Sequence, residues 1–450
     1  MRRLFGTDGV RGVANVAPVT CEVALGIGRA LVQVCKRHGS ERCKVVIGKD
    51  TRVSGDMLES ALAAGICSAG GDVVLAGVIP TPAVGYLTRC LGYDAGAVVS
   101  ASHNPFQDNG IKLFARTGFK LPDAVEAEIE GLVEHADATP QPTAAAVGRV
   151  RQLEDAEGRY VAFLRGTCPS DLRLGGLKMV IDCAHGAAHR VGPQLFRELG
   201  ADVVLLGASP DGENINRECG AVHPRALQEC VLGERAQLGI ALDGDADRAV
   251  FVDESGQLVD GDEVLAMVAA EMLAGGSLRQ ATVVATVMSN IGLELALRDR
   301  GARLVRVQVG DRYVVEEMRQ HGYNLGGEQS GHILFLDHST TGDGLLAGLN
   351  VVRLMVERQR PLSELKRVMS KFPQVLVNVR VRSREALEDI AAVRETIARI
   401  TSKLNARGRV LVRYSGTEPL VRVMVEGEYP DEVQAYADEI AAVIRTHLGA

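Results

Sequence analysis

The sequence predicts an α/β fold of three successive strand–helix units closed by a smaller α+β tail. Three observations point to it. Short β-branched or apolar runs alternate with segments of helical apolar spacing from residue 44 to about residue 370. In each stretch a strand feeds a glycine- or aspartate-rich loop. Past Lys371-Phe372-Pro373 the texture changes to an alternating strand, a long helical pattern and two further strands. At roughly 150 residues per domain, 450 residues hold three or four such units.

In chain order, 44–48 reads as a strand, 56–69 as a helix, and 72–75 and 96–99 as strands. The second unit has strands at 178–181, 202–206, 238–242 and 249–252, with a helix at 191–199. The third has helices at 261–273 and 293–300 and strands at 282–286 and 304–308. The tail reads as a strand at 375–381, a helix over 384–404, strands at 410–412 and 421–425, and a closing helix at 431–447. Residues 137–148, rich in Pro, Thr and Ala, suit an exposed connection. The expected division is 1–155, 156–255, 256–370 and 371–450. Runs buried on both faces, as these are, go with sheets covered by helices.

Fifty Lys and Arg against 57 Asp and Glu leave a net charge of −7, with no basic tract, which excludes a nucleic-acid binder or a protein drawn to anionic membranes. A phosphate ligand must therefore be held by a few local cations. Nine cysteines, odd in number and without C-x-x-C spacing, suit a reducing compartment, and no stretch approaches the ~18 apolar residues of a membrane span. A cytoplasmic protein is expected.

The strongest local signal is Asp243-Gly244-Asp245-Ala246-Asp247-Arg248, between two strands. Three carboxylates at alternate positions repel one another unless a cation joins them; a tight turn at Gly244 would converge them on a hard divalent ion such as Mg²⁺. An EF-hand fails, because its sixth position is Arg248 rather than Gly and strands flank the loop. A solvated acidic turn is the plain alternative.

Ser102 follows the strand 96–99, where α/β folds place reactive groups. On an extended chain its neighbour His103 points away, which makes that histidine a poor base, and no G-x-S-x-G elbow occurs. Lys112 puts one cation into an apolar strand downstream. Gly6-Thr7-Asp8-Gly9-Val10-Arg11-Gly12 offers backbone N–H groups and the Arg11 fork to an anion, yet neither a Walker A loop nor G-x-G-x-x-G is present.

In the tail, Arg413, Ser415, Gly416, Thr417 and Arg422 form a compact anion cradle or an ordinary hairpin turn. Glu328 and Ser330, on a glycine-flanked loop, suit sugar hydroxyls, and His332 beside them could carry a proton.

Taken together and in this order, FGTDGVRG at 5–12, SASHNPFQDNGIKLF at 100–114, DGDADR at 243–248, GEQSGH at 327–332 and RYSGTEPLVRVMVEG at 413–427 resemble the α-D-phosphohexomutase superfamily, most closely its bacterial glucosamine-phosphate branch. The likeness runs along essentially the whole chain. Ala246, where many relatives have Gly, and Tyr414 are small departures.

The resemblance implies three similar α/β phosphohexomutase domains with mixed sheets plus a smaller C-terminal α+β domain around a central cleft. It implies an isomerase that converts glucosamine 6-phosphate to glucosamine 1-phosphate for cell-wall precursor synthesis. Ser102 would be the phosphoserine and would ligate one Mg²⁺ together with Asp243, Asp245 and Asp247. Arg11, Lys112, Arg248 and His332 would surround the transfer, Glu328 and Ser330 would hold the sugar, and Arg413, Ser415, Gly416, Thr417 and Arg422 its phosphate. A sugar 1,6-bisphosphate would activate the enzyme, whose partner is a small sugar phosphate, and relatives suggest a homodimer. The rivals are a phosphomannomutase/phosphoglucomutase, a Mg²⁺-dependent sugar phosphatase and a sugar-phosphate sensor.

Overall fold

The computed structural model describes residues 4–6, 8–40, 42–134, 141–415 and 419–449. Its eighteen described strands fall into four sheets. The first contains β1 (Val10–Val13), β2 (Lys44–Lys49), β3 (Asp72–Val78), β4 (Ala95–Val99), β5 (Asp108–Ala115) and β6 (Val150–Gln152), in the order β1-β5-β4-β2-β3-β6. The second contains β7 (Lys178–Asp182), β8 (Asp202–Leu206), β9 (Leu238–Leu242), β10 (Ala249–Asp253) and β11 (Leu258–Val259), ordered β11-β10-β9-β7-β8. The third contains β12 (Thr282–Thr286), β13 (Arg303–Val307), β14 (Leu325–Gly327) and β15 (Ile333–Phe335), ordered β13-β12-β14-β15.

One plan repeats three times. A central strand (β2, β7, β12) pairs in parallel with its successor on one side and with the strand after that on the other. That third strand then meets an antiparallel partner: β4 with β5, β9 with β10, β14 with β15. The connection at this antiparallel step carries Ser102 in the first unit, residues 243–248 in the second and residues 328–332 in the third. The three motifs thus occupy one topological position in three copies of one unit, beyond the carboxyl end of a parallel strand.

The tail is a three-stranded antiparallel sheet of β16 (Gln374–Arg380), β17 (Arg409–Tyr414) and β18 (Leu420–Glu426), ordered β16-β18-β17, with helices Ala391–Leu404 and Pro430–Leu448. Its core around Val379, Val423 and Ile440 is separate, whereas a single apolar cluster runs from Val46 and Ile79 through Phe196 and Phe251 to Leu345. The first three units thus share a packed body that fixes their loops relative to one another, and the fourth stands on its own core.

The expected helix over 384–404 is shorter than its pattern: a 3-10 turn at Leu387–Asp389 precedes a helix that begins at Ala391. The residues ahead of it serve the neighbouring loop instead, with Arg384 Nη2 donating to the Ser415 carbonyl at 2.9 Å. All nine cysteines are free, and among the described residues no helix is long and apolar enough to cross a membrane.

Candidate active site

Ser102 is buried and adopts φ 52°, a left-handed conformation that a non-glycine residue holds only when its surroundings impose it. The surroundings are explicit. Its N–H donates to Ser100 Oγ at 2.9 Å, and its carbonyl accepts from Arg52 Nη2 at 3.0 Å and Asn216 Nδ2 at 2.9 Å. Held this way, Ser102 Oγ donates to Asp243 Oδ2 at 2.6 Å. The same left-handed turn corrects the expectation for His103: the chain is not extended there, and His103 Nδ1 comes to 3.4 Å from Ser102 Oγ. His103 is nevertheless a poor base. Burial and the nearby Arg248 and Arg11 guanidiniums lower its pKa to about 4.

The loops meet because glycines let them. A Cβ on Gly244 would lie 2.6 Å from the Ser102 carbonyl oxygen, and one on Gly331 would lie 2.2 Å from that of Ala249. Ala246 takes φ 57° within the aspartate loop 243–248, the conformation that glycine adopts without strain.

Asp243, Asp245 and Asp247 are all buried, with ligand atoms within 4.8 Å of one another. Burial and its two acidic neighbours push Asp243 well above the usual carboxylate range. Burial would also raise Asp247, but Lys112, His332 and Arg248 outweigh it and hold that carboxyl well below its ordinary value. Asp245 Oδ1 and Asp247 Oδ1 are buried without a hydrogen-bond partner, and the nearest donors to the latter stand at 3.6 Å (His332 Nδ1) and 3.8 Å (Arg248 Nε). Unpaired carboxylate oxygens in a converging buried triad fit a hard divalent cation such as Mg²⁺.

Protein cations ring the triad. Lys112 Nζ, itself buried, lies 2.8 Å from Asp245 Oδ2, 3.4 Å from Asp247 Oδ2 and 3.4 Å from Asp8. Burial alone would lower its pKa, but the carboxylates of Asp245, Asp8 and Asp247 raise it and favour the ammonium form. Thr81 Oγ1 donates to Asp245 at 2.6 Å. Arg11 pairs with Asp8, which also takes Lys120. Arg248 N donates to Asp243 Oδ1 at 3.1 Å while its Nη1 sits 3.3 Å from His103 Nδ1. His332 accepts from Gly342 N–H through Nε2 at 3.1 Å, an arrangement of the neutral ring that leaves the proton on Nδ1, facing Asp247.

The third unit's hairpin supplies Glu328, whose Oε1 accepts from Gly310 N at 3.2 Å and whose Oε2 accepts from the Ser330 hydroxyl at 3.2 Å. Ser102, Lys112, Arg11, Arg248, His332 and the triad thus form one contiguous site, with Glu328 beside it. In the tail, Arg413 and Arg422 are register partners on β17 and β18, and buried Ser415 closes the turn by donating its N–H to Leu420 O at 2.8 Å. Gly416 and Thr417 lie outside the described residues.

Sequence reasoning passed over Asp50, Arg52, Asn216, Lys120 and Asp311. Arg52 Nε and N both bind the buried Asp50 carboxylate, which in turn accepts from Ser100 Oγ at 2.5 Å. Lys120 spans Asp8 and Asp311, the latter at 2.6 Å, and ties the first unit to the third. None has a local motif; Arg52, in Asp50-Thr51-Arg52 directly after β2, had only its place at the end of a parallel strand to mark it.

Four family models match the chain in order: phosphoglucomutase/phosphomannomutase α/β/α domain I at 2–140, domain II at 159–256, domain III at 260–372 and the C-terminal domain at 376–443. Among solved structures, a phosphoglucomutase/phosphomannomutase family protein from Burkholderia thailandensis superposes with a TM-score of 0.80 at 26% identity, covering 98% of this chain and 97% of that one. An Aspergillus fumigatus N-acetylphosphoglucosamine mutase, solved with GlcNAc-6P and magnesium, shares the fold with a TM-score of 0.66 at 18% identity, over 99% and 96% of the two chains. The phosphoglucosamine mutase of Anaeromyxobacter sp. (strain Fw109-5) is 56% identical over 453 residues, spanning 100% of this chain and 96% of its own. The chain belongs to the phosphohexomutases, mutases built from four such domains, and within them to the phosphoglucosamine mutase family.

Proposed function

We propose that the enzyme isomerises glucosamine 6-phosphate to glucosamine 1-phosphate through a phosphorylated Ser102 and a glucosamine 1,6-bisphosphate intermediate. The observation that carries this reading is the Ser102 hydroxyl 2.6 Å from Asp243, at the rim of a buried carboxylate triad ringed by cations. A mutase must move a phosphoryl group between two oxygens of one sugar without losing it to water, and a buried serine is a store that water reaches poorly.

Phosphoserine 102 gives its phosphoryl group to the sugar O1: the P–Oγ bond breaks and a P–O1 bond forms. The O1 proton passes to one of Lys112, Arg11 or His332, which surround the triad. The bisphosphate then reverses, and its 6-phosphoryl group returns to Ser102 Oγ while O6 recovers a proton. Ser102, Asp243, Asp245 and Asp247 would hold a Mg²⁺ ion, which when bound draws charge from the transferring group. Lys112, Arg248 and Arg11 offset the remaining negative charge. Glu328 and Ser330 receive the sugar hydroxyls, and Arg413, Ser415, Gly416, Thr417 and Arg422 receive the phosphate that is not reacting.

The same reading takes the units as 1–155, 156–255, 256–370 and 371–450, uses a sugar 1,6-bisphosphate to prime the unphosphorylated serine, and has the enzyme work in the cytoplasm as a homodimer. The test is a ³¹P NMR time course with Mg²⁺ and catalytic sugar 1,6-bisphosphate, starting from glucosamine 6-phosphate or mannose 6-phosphate. Faster growth of the 1-phosphate signal from the amino sugar is expected. Equal or reversed rates would move the enzyme to the phosphomannomutase branch, and free phosphate without any 1-phosphate would refute mutase chemistry.

A further inference from the structure

Away from the catalytic loops, the third unit carries an open groove of about 630 Å³ whose lining differs from the rest of this acidic chain. Helices Gly261–Ala274 and Gly344–Arg358 form its walls, and the segment from Leu362 to Val368 closes one end. Arg300, Arg358, Arg360 and Arg367 face it together with Glu271 and Glu364, so four guanidiniums against two carboxylates leave two positive charges in excess.

Local pairing leaves most of that charge available. Arg358 is engaged with Glu271 through Nε at 2.9 Å and Nη2 at 2.6 Å. Arg300 gives Nη1 to the carbonyl of Ala296, in the helix Ile291–Arg298 that ends just before it. Among the described residues, the side chains of Arg360 and Arg367 make no hydrogen bond or ion pair. The half-buried Leu365, with the edges of the otherwise buried Met267 and Leu354, supplies apolar surface beside them.

Guanidiniums matched to phosphate oxygens beside an apolar surface define a ligand with two parts: a multiply charged phosphate group and a flat or apolar body. The volume lies within the range of small-molecule sites and is several times what a bare phosphate needs. We infer that this groove binds a nucleoside diphosphate, with the diphosphate on Arg300, Arg360 and Arg367 and the nucleoside against Met267, Leu354 and Leu365. The inference does not depend on which sugar the enzyme isomerises.

The groove is connected to the active site by its own wall. Helix Gly261–Ala274 begins where Gly261 N donates to Gln329 O at 3.0 Å, directly under the Glu328 hairpin, and ends at the groove about 20 Å away. The other side of the groove continues from Val368 into Lys371 and Phe372, the passage to the fourth unit.

The test is isothermal titration of the purified full-length enzyme with uridine diphosphate, adenosine diphosphate and pyrophosphate, repeated on an R360Q/R367Q double variant whose thermal melt matches that of the parent. Amide hydrogen exchange with and without the tightest ligand locates the site. The expected result is nucleoside diphosphate binding that weakens at least tenfold in the double variant, with protection at 267–274 and 354–368. Absence of binding, equal affinity in the double variant, or protection confined to the Ser102 and Glu328 loops would each overturn the site. Pyrophosphate binding as tightly as either nucleoside diphosphate would overturn the nucleoside assignment.

Discussion

Arg52 holds the carbonyl of Ser102 at 3.0 Å from fifty residues upstream, and the same guanidinium binds the carbonyl oxygens of Asn104 at 2.8 Å and Asp108 at 2.9 Å. One side chain therefore ties down the entire turn that carries the serine, and its own Nε rests on buried Asp50. Burial raises the Asp50 pKa even against the opposing pull of Arg52. Arg52→Ala leaves that carboxylate buried and unpaired, so a stability loss of about 3–5 kcal/mol is expected in urea denaturation. Arg52→Lys keeps the charge but loses the fork. It should lower kcat on the order of 10²-fold by misplacing Ser102, with KM nearly unchanged, because the residues proposed to bind substrate lie elsewhere. A Lys variant with parental kcat would show that the turn holds itself.

Asp243 sits at a position where the proposed metal binding and the stability of the metal-free protein are opposed. Its carboxylate is disfavoured by burial and by Asp247 and Asp245, so a neutral amide there should be tolerated when no cation is present. In EDTA, Asp243→Asn is expected to melt at or above the parental temperature. On addition of Mg²⁺ the parent should gain about 2.7 kcal/mol at a concentration a hundredfold above its dissociation constant, while the variant gains little. Equal Mg²⁺ responses from the two proteins, followed by thermal melts, would remove the triad from metal binding.

What could be read in the sequence divides along the range of the interaction. Runs such as 238–242 and 282–286 coincide with β9 and β12 because an apolar segment buried on both faces needs no distant information to identify it. The reactive loops were legible for a related reason: Asp243, Asp245 and Asp247 are meaningless as a strand and acquire meaning as a cluster. Arg52, Asn216 and Lys120 were not legible, because each acts on a backbone or side chain more than fifty, one hundred or one hundred and ninety positions from itself or across units, as the bonds to Asn104, Ser102 and Asp311 show. The reading of His103 failed differently. It assumed extended backbone, and the left-handed turn at Ser102 is imposed by Arg52, Ser100 and Asn216 rather than encoded at the position itself. The long helix expected from residue 384 failed because Arg384 is used for the Ser415 turn.

The pH response has a marker well away from the catalytic loop, at Asp262. Burial, with Asp260 adding to it, raises its pKa to about 7, although it accepts from Asn290 N at 2.8 Å. Below the ordinary carboxylate range the group is protonated in folded and unfolded chains alike. Between there and about pH 7 the unfolded chain ionises while the folded one does not, so this contribution to stability is full at low pH and is lost as pH rises through about 7. Asp262→Asn cannot ionise; its carboxamide oxygen can keep the Asn290 bond, and its nitrogen has the Asp260 carboxylate beside it. The difference in melting temperature should shift in favour of the variant by a few °C between pH 5 and pH 8, the equivalent of one to a few kcal/mol. A difference that stays constant across that range would mean that Asp262 is ionised in the folded protein throughout.

Arg413 and Arg422 stand opposite each other on adjacent antiparallel strands, so their side chains share one face of the sheet. Burial and the Arg422 charge together lower the Arg413 pKa, which is the cost of holding two guanidiniums together ahead of any ligand. Such a pair is retained against its own repulsion where an anion comes between, and the phosphate of the substrate is the anion proposed. Arg422→Met relieves that repulsion and also removes the other contact Arg422 makes. The same change should raise KM for the sugar phosphate at least tenfold, equivalent to about 1.4 kcal/mol, while kcat falls much less because the transferring group is at Ser102. A variant with parental KM would take the phosphate cradle away from the β17–β18 turn, and one that melts well below the parent would make the pair structural.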